Sequence, residues 1–431
     1  MKISPARIAA FEILLKIENE KAFSSELLPL YENELADNDR SLCHQLTLGV
    51  LRKQLMIDWM IDHFTGGKRI DAAVRNSLRI GIYQLLFLNR IPDYSAINDS
   101  VNLVQYAKKT SAKGFVNAVL RRATREAAVP LFVDDADRIS LETSHPRWLV
   151  DKWIGQFGLA NAESIAVSNN EIPRIAFRIT PTGGGMRRFE NTIDSDLVDG
   201  CLIARSNSAE LLAAAAEGKI YFQDEGSQMV AEAAGRIESD SFLDLCAAPG
   251  SKFSQIATRV GNNLKILVAG DLHSHRARFL RDNCRRQGLN DANVVQYDAE
   301  SDIPFADESF DSILVDAPCS GTGTIRHNPE LRYALKPSDF KELANKQLRL
   351  IRNASKLLKP GGTFVYSTCS LESEENEHVA DLFLSSAVDF VKVKPRVAER
   401  FIDGDGFART LPHRDNMDGF FIASFKKTGR S

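Results

Sequence analysis

Apolar positions recur three and four residues apart through the first quarter of the chain, then give way to short apolar runs separated by helical segments. Between Ser4 and about Arg125, Ile8, Phe11 and Leu15 share one helical face, as do Leu42, Leu46 and Val50, and later Ile97, Val101 and Val104. Ser4 before Pro5 is an N-cap with proline at the first helical position, and Ser95 can cap the helix that carries Ile97. With almost no strand signal here, the pattern predicts an all-α bundle. Arg121, Arg122 and Arg125 close its last helix near the negative end of the helix dipole, which is a structural reason for them; an RNA-facing role is the alternative.

AAVPLFVDDADRIS interrupts the periodicity with a proline and an acidic turn, which predicts a boundary between about residues 128 and 142. Ser144 and Pro146 then open a short amphipathic helix with Trp148, Leu149, Val150 and Trp153, which Gly158 can end. PRIAFRIT, from Pro173, alternates basic with apolar as a half-buried strand does, so Arg174 and Arg178 face either phosphate or plain solvent, and TGGG marks the loop after it. YFQDEGSQMVAEAA runs from strand into helix. From Ser241 onward, SFLDLCAA, KILVAGD, ANVVQYD, FDSILVDAP and GTFVYSTC alternate with helical segments, which predicts a mostly parallel, doubly wound α/β sheet; FFIASFKK adds a late strand that can insert antiparallel. The expected multidomain order is therefore a helical domain over 1–135, a small α+β linker subdomain over 136–235 and an α/β domain over 236–431.

Composition narrows the class without deciding it. At 431 residues, 44% hydrophobic and 26% charged, the chain can build several cores. Six cysteines with no CxxC pair and no zinc-like spacing argue for reduced thiols and against a disulfide scaffold or a structural metal. No apolar run approaches membrane-spanning length, so a cytoplasmic protein without membrane contact, and a monomer, is the default expectation. A net charge of −3 means that any nucleic-acid partner must be met by local basic clusters.

The chemistry gathers at strand ends. ILVDAPCSGTG, Ile313 to Gly323, is a strand-forming run ending in Asp316, Pro318 and Cys319 before a turn, and GGTFVYSTCS ends likewise at Cys369. Ligands of open α/β sheets bind just outside the carboxyl ends of the strands, which places both thiols where reactions occur; alternatively both are small core residues. The first strand leads into DLCAAPGSK, Asp244 to Lys252. This turn has neither the GxGxxG of a dinucleotide site nor the GxxxxGK[ST] of a P-loop, which disfavours NAD, FAD and ATP. S-adenosylmethionine remains: Asp271, ending strand two, can take its ribose hydroxyls and Asp298, ending strand three, can flank its adenine, although an Asp at such a place is often only an N-cap.

Two resemblances sharpen this. DRSLCHQLTLGVLR, LRIGIYQLLFLNRIPDYSAINDSVNLVQYA and GFVNAVLRR resemble the NusB domain, a small helical RNA-binding fold. DLCAAPGSK, VAGD, VQYD, DAPCSGTG, YSTCS followed by EENE, and TLPHRDNMDGFF resemble the RNA cytosine-5 methyltransferases of the NOL1/NOP2/Sun group over nearly all of the last 190 or so residues. That resemblance implies a Rossmann-like methyltransferase domain acting on a cytosine of 16S small-subunit ribosomal RNA. It implies an S-adenosyl-L-methionine site lined by Cys246, Ala247, Ala248, Pro249, Gly250, Ser251, Lys252, Asp271, Asp298 and Asp316, with Cys369 as nucleophile and Cys319 assisting release. Relatives usually carry PGGKT where this chain has Pro249-Gly250-Ser251-Lys252-Phe253, a departure in the cofactor loop; TIRHNPELRY after the first thiol also varies, at substrate contacts.

Such a set suits the reaction. Carbon 5 of cytosine is too weak a nucleophile until a thiolate adds to carbon 6 and turns the ring into an enamine. Charge then builds on the N3 side, where a carboxyl such as Asp316 is wanted, and the carbon 5 proton must leave before the thiol can, which gives a second cysteine its task. Two other classes stay open: an RNA-binding assembly protein without activity, and a methylase of an exocyclic base nitrogen, which needs no thiol and typically ends its strand in Pro-Pro-aromatic where this chain has Asp316-Ala317-Pro318-Cys319.

Overall fold

Proline and its neighbours set the first helix: Ser4 is extended, Pro5 occupies the first helical position, and Pro5–Glu20 buries Phe11 and Leu14. The Ser4 hydroxyl does not cap; it donates to Asp39 at 3.3 Å. Asp37–Arg52 adds Leu46 and Val50 to the same core, and Ile57, Ile61, Leu78, Ile82, Val116 and Leu120 form a second one. The computed structural model describes residues 3–184, 189–206, 208–235, 240–261, 264–290, 292–301 and 303–429, so Gly185 of the TGGG loop lies outside it. Contacts divide the chain into Met1–Glu171 with Ile325–Leu335, which is helical, and Ile172–Thr324 with Lys336–Ser431, which is α/β.

Three expectations for the helical unit are revised. The helix assigned to a Ser95 cap is Asp93–Tyr106, which starts earlier because Pro92, fixed in an extended backbone, leads straight into it with Asp93 in the first turn. The acidic turn near Asp134 is itself an N-cap, its side chain accepting from Asp137 N–H at 2.8 Å to open Asp135–Thr143, so helical structure continues through Arg147–Phe157 and Leu159–Ser168. The second of these buries Leu149, Val150 and Trp153 and ends at Gly158, as its sequence predicts. The third concerns TIRHNPELRY. Arg326, Glu330 and Arg332 are buried: Arg332 donates to the carbonyls of Thr143 (3.1 Å) and Asn169 (3.3 Å) and to Asn170 Oδ1 (2.9 Å), and Glu330 accepts from Ser24 N–H (2.6 Å) and its hydroxyl (2.8 Å). Burial lowers the Arg332 pKa to about 10. Arg122 also has internal partners, the Phe64 carbonyl at 2.9 Å and Glu126 at 2.7 Å.

The α/β unit begins with an antiparallel sheet of β1 (Ile175–Ile179), β2 (Thr192–Asp194), β3 (Cys201–Ala204) and β4 (Ile220–Phe222), ordered β2-β3-β1-β4. Arg178 on β1 does not face solvent or a phosphate. It is buried and donates to Gln223 Oε1 (2.9 Å), Ser254 Oγ (2.6 Å), Gln287 Oε1 (2.9 Å) and the Ser251 carbonyl (3.2 Å). A guanidinium with five fixed donors suits such a junction of neutral acceptors.

The larger sheet holds β5 (Ser241–Asp244), β6 (Ile266–Asp271), β7 (Asn293–Gln296), β8 (Phe310–Asp316), β9 (Leu358–Thr368), β10 (Phe390–Val393), β11 (Ala408–Arg409) and β12 (Phe421–Lys427). Its order is β10-β12-β9-β8-β5-β6-β7; β5 to β9 pair in parallel and β12 inserts antiparallel beside β9, with β11 on β12. Side chains alternate between the two faces: Leu243, Ile313, Val315, Phe364 and Tyr366 enter one core, Phe242, Leu314 and Val365 the other. β5 has β6 on one side and β8 on the other, so the connections diverge at its carboxyl end and open a crevice there.

Replacing Arg178 with Ala strands the buried acceptors of Gln223, Ser254 and Gln287. The expected loss is about 2–4 kcal/mol of folding stability, the scale of several unmet buried polar groups, read by urea unfolding.

Candidate active site

β8 and β9 run side by side in register, Asp316 opposite Ser367, so the residues just beyond them emerge together. The Cys319 and Cys369 sulfurs lie 3.2 Å apart, and Cys369 N–H donates to Cys319 Sγ at 3.2 Å. Gly323 N–H donates to the Cys369 carbonyl at 2.9 Å, joining the two turns directly. Glycine is required there, since a Cβ would stand 2.1 Å from the Gly419 carbonyl oxygen. The Cys319 pKa is raised, first by its hydrogen bond with Cys369, then by burial and by Glu375.

Asp316 is fixed from two sides: Lys252 Nζ donates to Oδ2 at 2.7 Å and the Ser367 hydroxyl to Oδ1 at 2.6 Å. Lys252 is buried and also lies over the Phe420 ring, 5.0 Å from its centroid. Burial works against its charge, but Asp316 outweighs burial, so the Lys252 pKa is raised. The loop Cys246 to Gly250 delivers it. Gly250 has φ +101° and a Cβ there would meet Leu280 Cδ1 at 2.5 Å; Ser251 is already the first residue of the helix Ser251–Val260. The departure from the usual second glycine therefore falls at a helical position that any L residue accepts. The loop's carbonyls are held by Arg276 on Ala248 (2.9 Å) and Asn283 on Pro249 (3.0 Å), and Ala247 N–H donates to the Gly270 carbonyl at 2.7 Å.

The strand-end acids divide. Asp271 is buried, accepts from His273 N–H at 3.0 Å through Oδ1, and has Arg276 at 3.7 Å from Oδ2. Asp298 is exposed and accepts from Glu300 N–H at 2.9 Å, the local turn role open to any Asp after a strand. Sequence reasoning stopped at Cys246 and missed Asp244, which is 1% exposed and whose Oδ1 has no hydrogen-bond partner. Burial and the charge of Asp316 push the Asp244 pKa up to about 8, with Lys252 opposing and Asp271 adding to the rise. The half-buried Cys246 thiol is pushed up too, by burial and by the same three carboxylates. Asp244, Asp271 and Asp316 gather at the crevice with Lys252 and Arg276 beside them, and one buried oxygen of Asp244 is left unmet. That donor set fits a ligand carrying a cationic centre and a diol, as S-adenosylmethionine does.

Comparison with known proteins agrees with both halves of the chain. Residues 235–426 match the family model described as 16S rRNA methyltransferase RsmB/F, and residues 4–125 match the NusB family. The probable ribosomal RNA small subunit methyltransferase B of Bacillus subtilis (strain 168) is 35% identical over 453 residues, covering 100% of each chain. The ribosomal RNA small subunit methyltransferase B of Klebsiella pneumoniae (strain 342) is 31% identical and covers 99% of each. Among solved structures, the crystal structure of PH0851 superposes with a TM-score of 0.83 at 26% identity, covering 99% of this chain and 100% of that one. Among the described residues, no helix is long and apolar enough to cross a membrane.

A carboxyl whose pKa is raised by folding stabilises the folded state while it holds its proton and ceases to as pH rises through the folded value. For Asp244 that stability is lost progressively as pH rises from the ordinary carboxyl range, and the loss is complete once pH passes about 8. Asp244→Asn cannot ionise, so without cofactor its melting temperature should gain on the native protein as pH rises from about 5 to about 8 and hold level above that. Parallel melting curves across that range would show Asp244 to be ordinary.

Proposed function

The chain belongs to the RsmB/F family of 16S rRNA methyltransferases, and on that footing we propose that it methylates carbon 5 of a cytosine in 16S rRNA through a covalent cysteine adduct. The observation that carries the proposal is the pair of sulfurs 3.2 Å apart at two adjacent strand ends, beside an acid already fixed by Lys252. The Cys246–Lys252 loop and Asp271 would hold S-adenosylmethionine, which would supply the methyl group.

Cys369 sulfur adds to carbon 6 as thiolate, forming a carbon–sulfur bond and making carbon 5 nucleophilic. Negative charge moves toward N3, where the Lys252–Asp316 pair meets it: a proton passed from the ammonium along the 2.7 Å hydrogen bond lets Asp316 donate there. The second cysteine follows from the same geometry. Its pKa is held up above all by hydrogen bonding with Cys369, and that support ends when the Cys369 sulfur becomes a thioether. Cys319, once its own proton has passed to solvent, takes the carbon 5 proton as thiolate; the electrons of that carbon–hydrogen bond restore the ring double bond and expel Cys369 as thiolate, while N3 returns its proton to the Lys252–Asp316 pair. The target cytosine must leave its stack to reach this crevice, and the NusB-like helices are suited to holding the surrounding RNA.

Cys369→Ala removes the only group that activates the ring, so it should lose turnover almost completely and trap no RNA. Cys319→Ala should still form the adduct and stall with it, giving a slow-migrating protein–RNA band on a denaturing gel. The adduct appearing with Cys369→Ala instead would reverse the two roles, and unchanged turnover in both variants would sink the covalent mechanism.

Asp271→Ala should weaken S-adenosylmethionine binding by about 1.5–3 kcal/mol, the scale of a hydrogen bond to a charged group. Calorimetry giving an unchanged affinity in the folded variant would remove Asp271 from the site.

A further inference from the structure

Each cysteine is followed by a serine, and both serines turn away from the crevice onto one buried carboxylate. Glu375 Oε1 accepts from Ser320 N–H at 2.9 Å and from Gln347 Nε2 at 3.0 Å. Its Oε2 accepts from the Ser320 and Ser370 hydroxyls, both at 2.5 Å, and those hydroxyls are 3.0 Å from each other. Four donors on one buried carboxylate make a stiff junction, because each bond is charge-assisted and none competes with water. The junction is anchored further. Gln347 also donates to the Pro318 carbonyl (3.0 Å), Tyr366 donates its hydroxyl to the Glu375 carbonyl, and Asn376 donates to the Ser370 carbonyl (2.9 Å) while accepting from Thr368 Oγ1 (2.5 Å). No atom of Glu375 need touch the base. It grips the residue after Cys319 and the residue after Cys369 at the same time.

We propose that Glu375 is a positioning residue, a brace across the two turns that holds the thiols at the spacing which adduct formation and release both need. The inference rests on the two-cysteine reading of the site and adds to it the group that sets the distance between them. It has a particular consequence for substitution. The brace needs polar atoms in fixed places and does not need a charge: with an amide, oxygen can accept from Ser320 N–H and Gln347 while nitrogen donates to the two serine oxygens. Glu375→Gln should therefore work, whereas Glu375→Ala leaves both turns untied.

The test reads thiol spacing without RNA. Phenylarsine oxide bridges two adjacent thiols, exchanging its oxygen for two arsenic–sulfur bonds with loss of water, and its capture by the folded protein reports the Cys319–Cys369 distance; Cys369→Ala is the blank. Glu375→Ala should capture it at least about tenfold more weakly and lose about 100-fold in kcat, the scale of a small misplacement of reacting groups, with cofactor affinity unchanged. Glu375→Gln should stay near the native protein in both. If Glu375→Ala is too unstable to purify, the double substitution Ser320→Ala with Ser370→Ala cuts the brace from the other side and should behave in the same way. Native-like arsenical capture in either braceless variant, a fall in kcat without a fall in capture, or a Gln variant as poor as the Ala variant would each overturn the proposal. Failure of the covalent mechanism is read separately, by turnover in Cys369→Ala.

Discussion

The pairing of β8 with β9 is the constraint on which the site depends. Parallel strands a hydrogen bond apart, in register at Asp316 and Ser367, bring two segments separated by some fifty residues to the same edge at the same height. The thiols, the acid with its serine partner and the two serines that meet Glu375 all inherit their places from that register. A slip of one residue would turn Ser367 to the opposite face and part the sulfurs. This explains the tight backbone there, where Gly323 and Gly419 nearly touch and the Cys369 carbonyl is tied to Gly323 N–H.

Around that register the electrostatics are arranged so that one charge governs another. Lys252 keeps its proton because Asp316 lies against it, whereas Asp244, deeper and with one oxygen unmet, is driven toward neutrality by burial and by Asp316. The Cys319 thiol is likewise pushed up, first by its hydrogen bond with Cys369 and then by burial.

Much of this was legible in residue order, and what was missed shares a physical cause. Apolar runs ending in Asp316, Cys319 and Cys369 predicted strand-end chemistry, and the lone Gly250 excluded phosphate loops. Both inferences rest on local pattern, which fold and sequence share. Arg178 and Asp244 were misread or overlooked because their meaning lies across the fold. An alternating strand looks the same whether its arginine meets water or meets Gln287, 109 residues away. Glu375 stood inside a segment noticed only for its resemblance; nothing local distinguishes it from the exposed acids of any helix start. Ser95 failed for a simpler reason, since Pro92 and Asp93 already supply a helix entry just upstream.

The segment Ile325–Leu335, which belongs to the helical unit although it follows the Cys319 turn, bears on how the protein is made. Synthesis delivers Met1–Glu171 first, with a slot lined by Ser24, Thr143, Asn169 and Asn170 that receives Glu330 and Arg332. Roughly 150 further residues must leave the ribosome before the filling segment does, so domain-by-domain folding from the N-terminus cannot finish here. The helical unit matures only when most of the α/β chain exists, and a nascent chain arrested before residue 325 presents buried polar groups without partners. Completion of the helical unit is thereby tied to production of the α/β unit, and a truncated product is marked by an unfinished core.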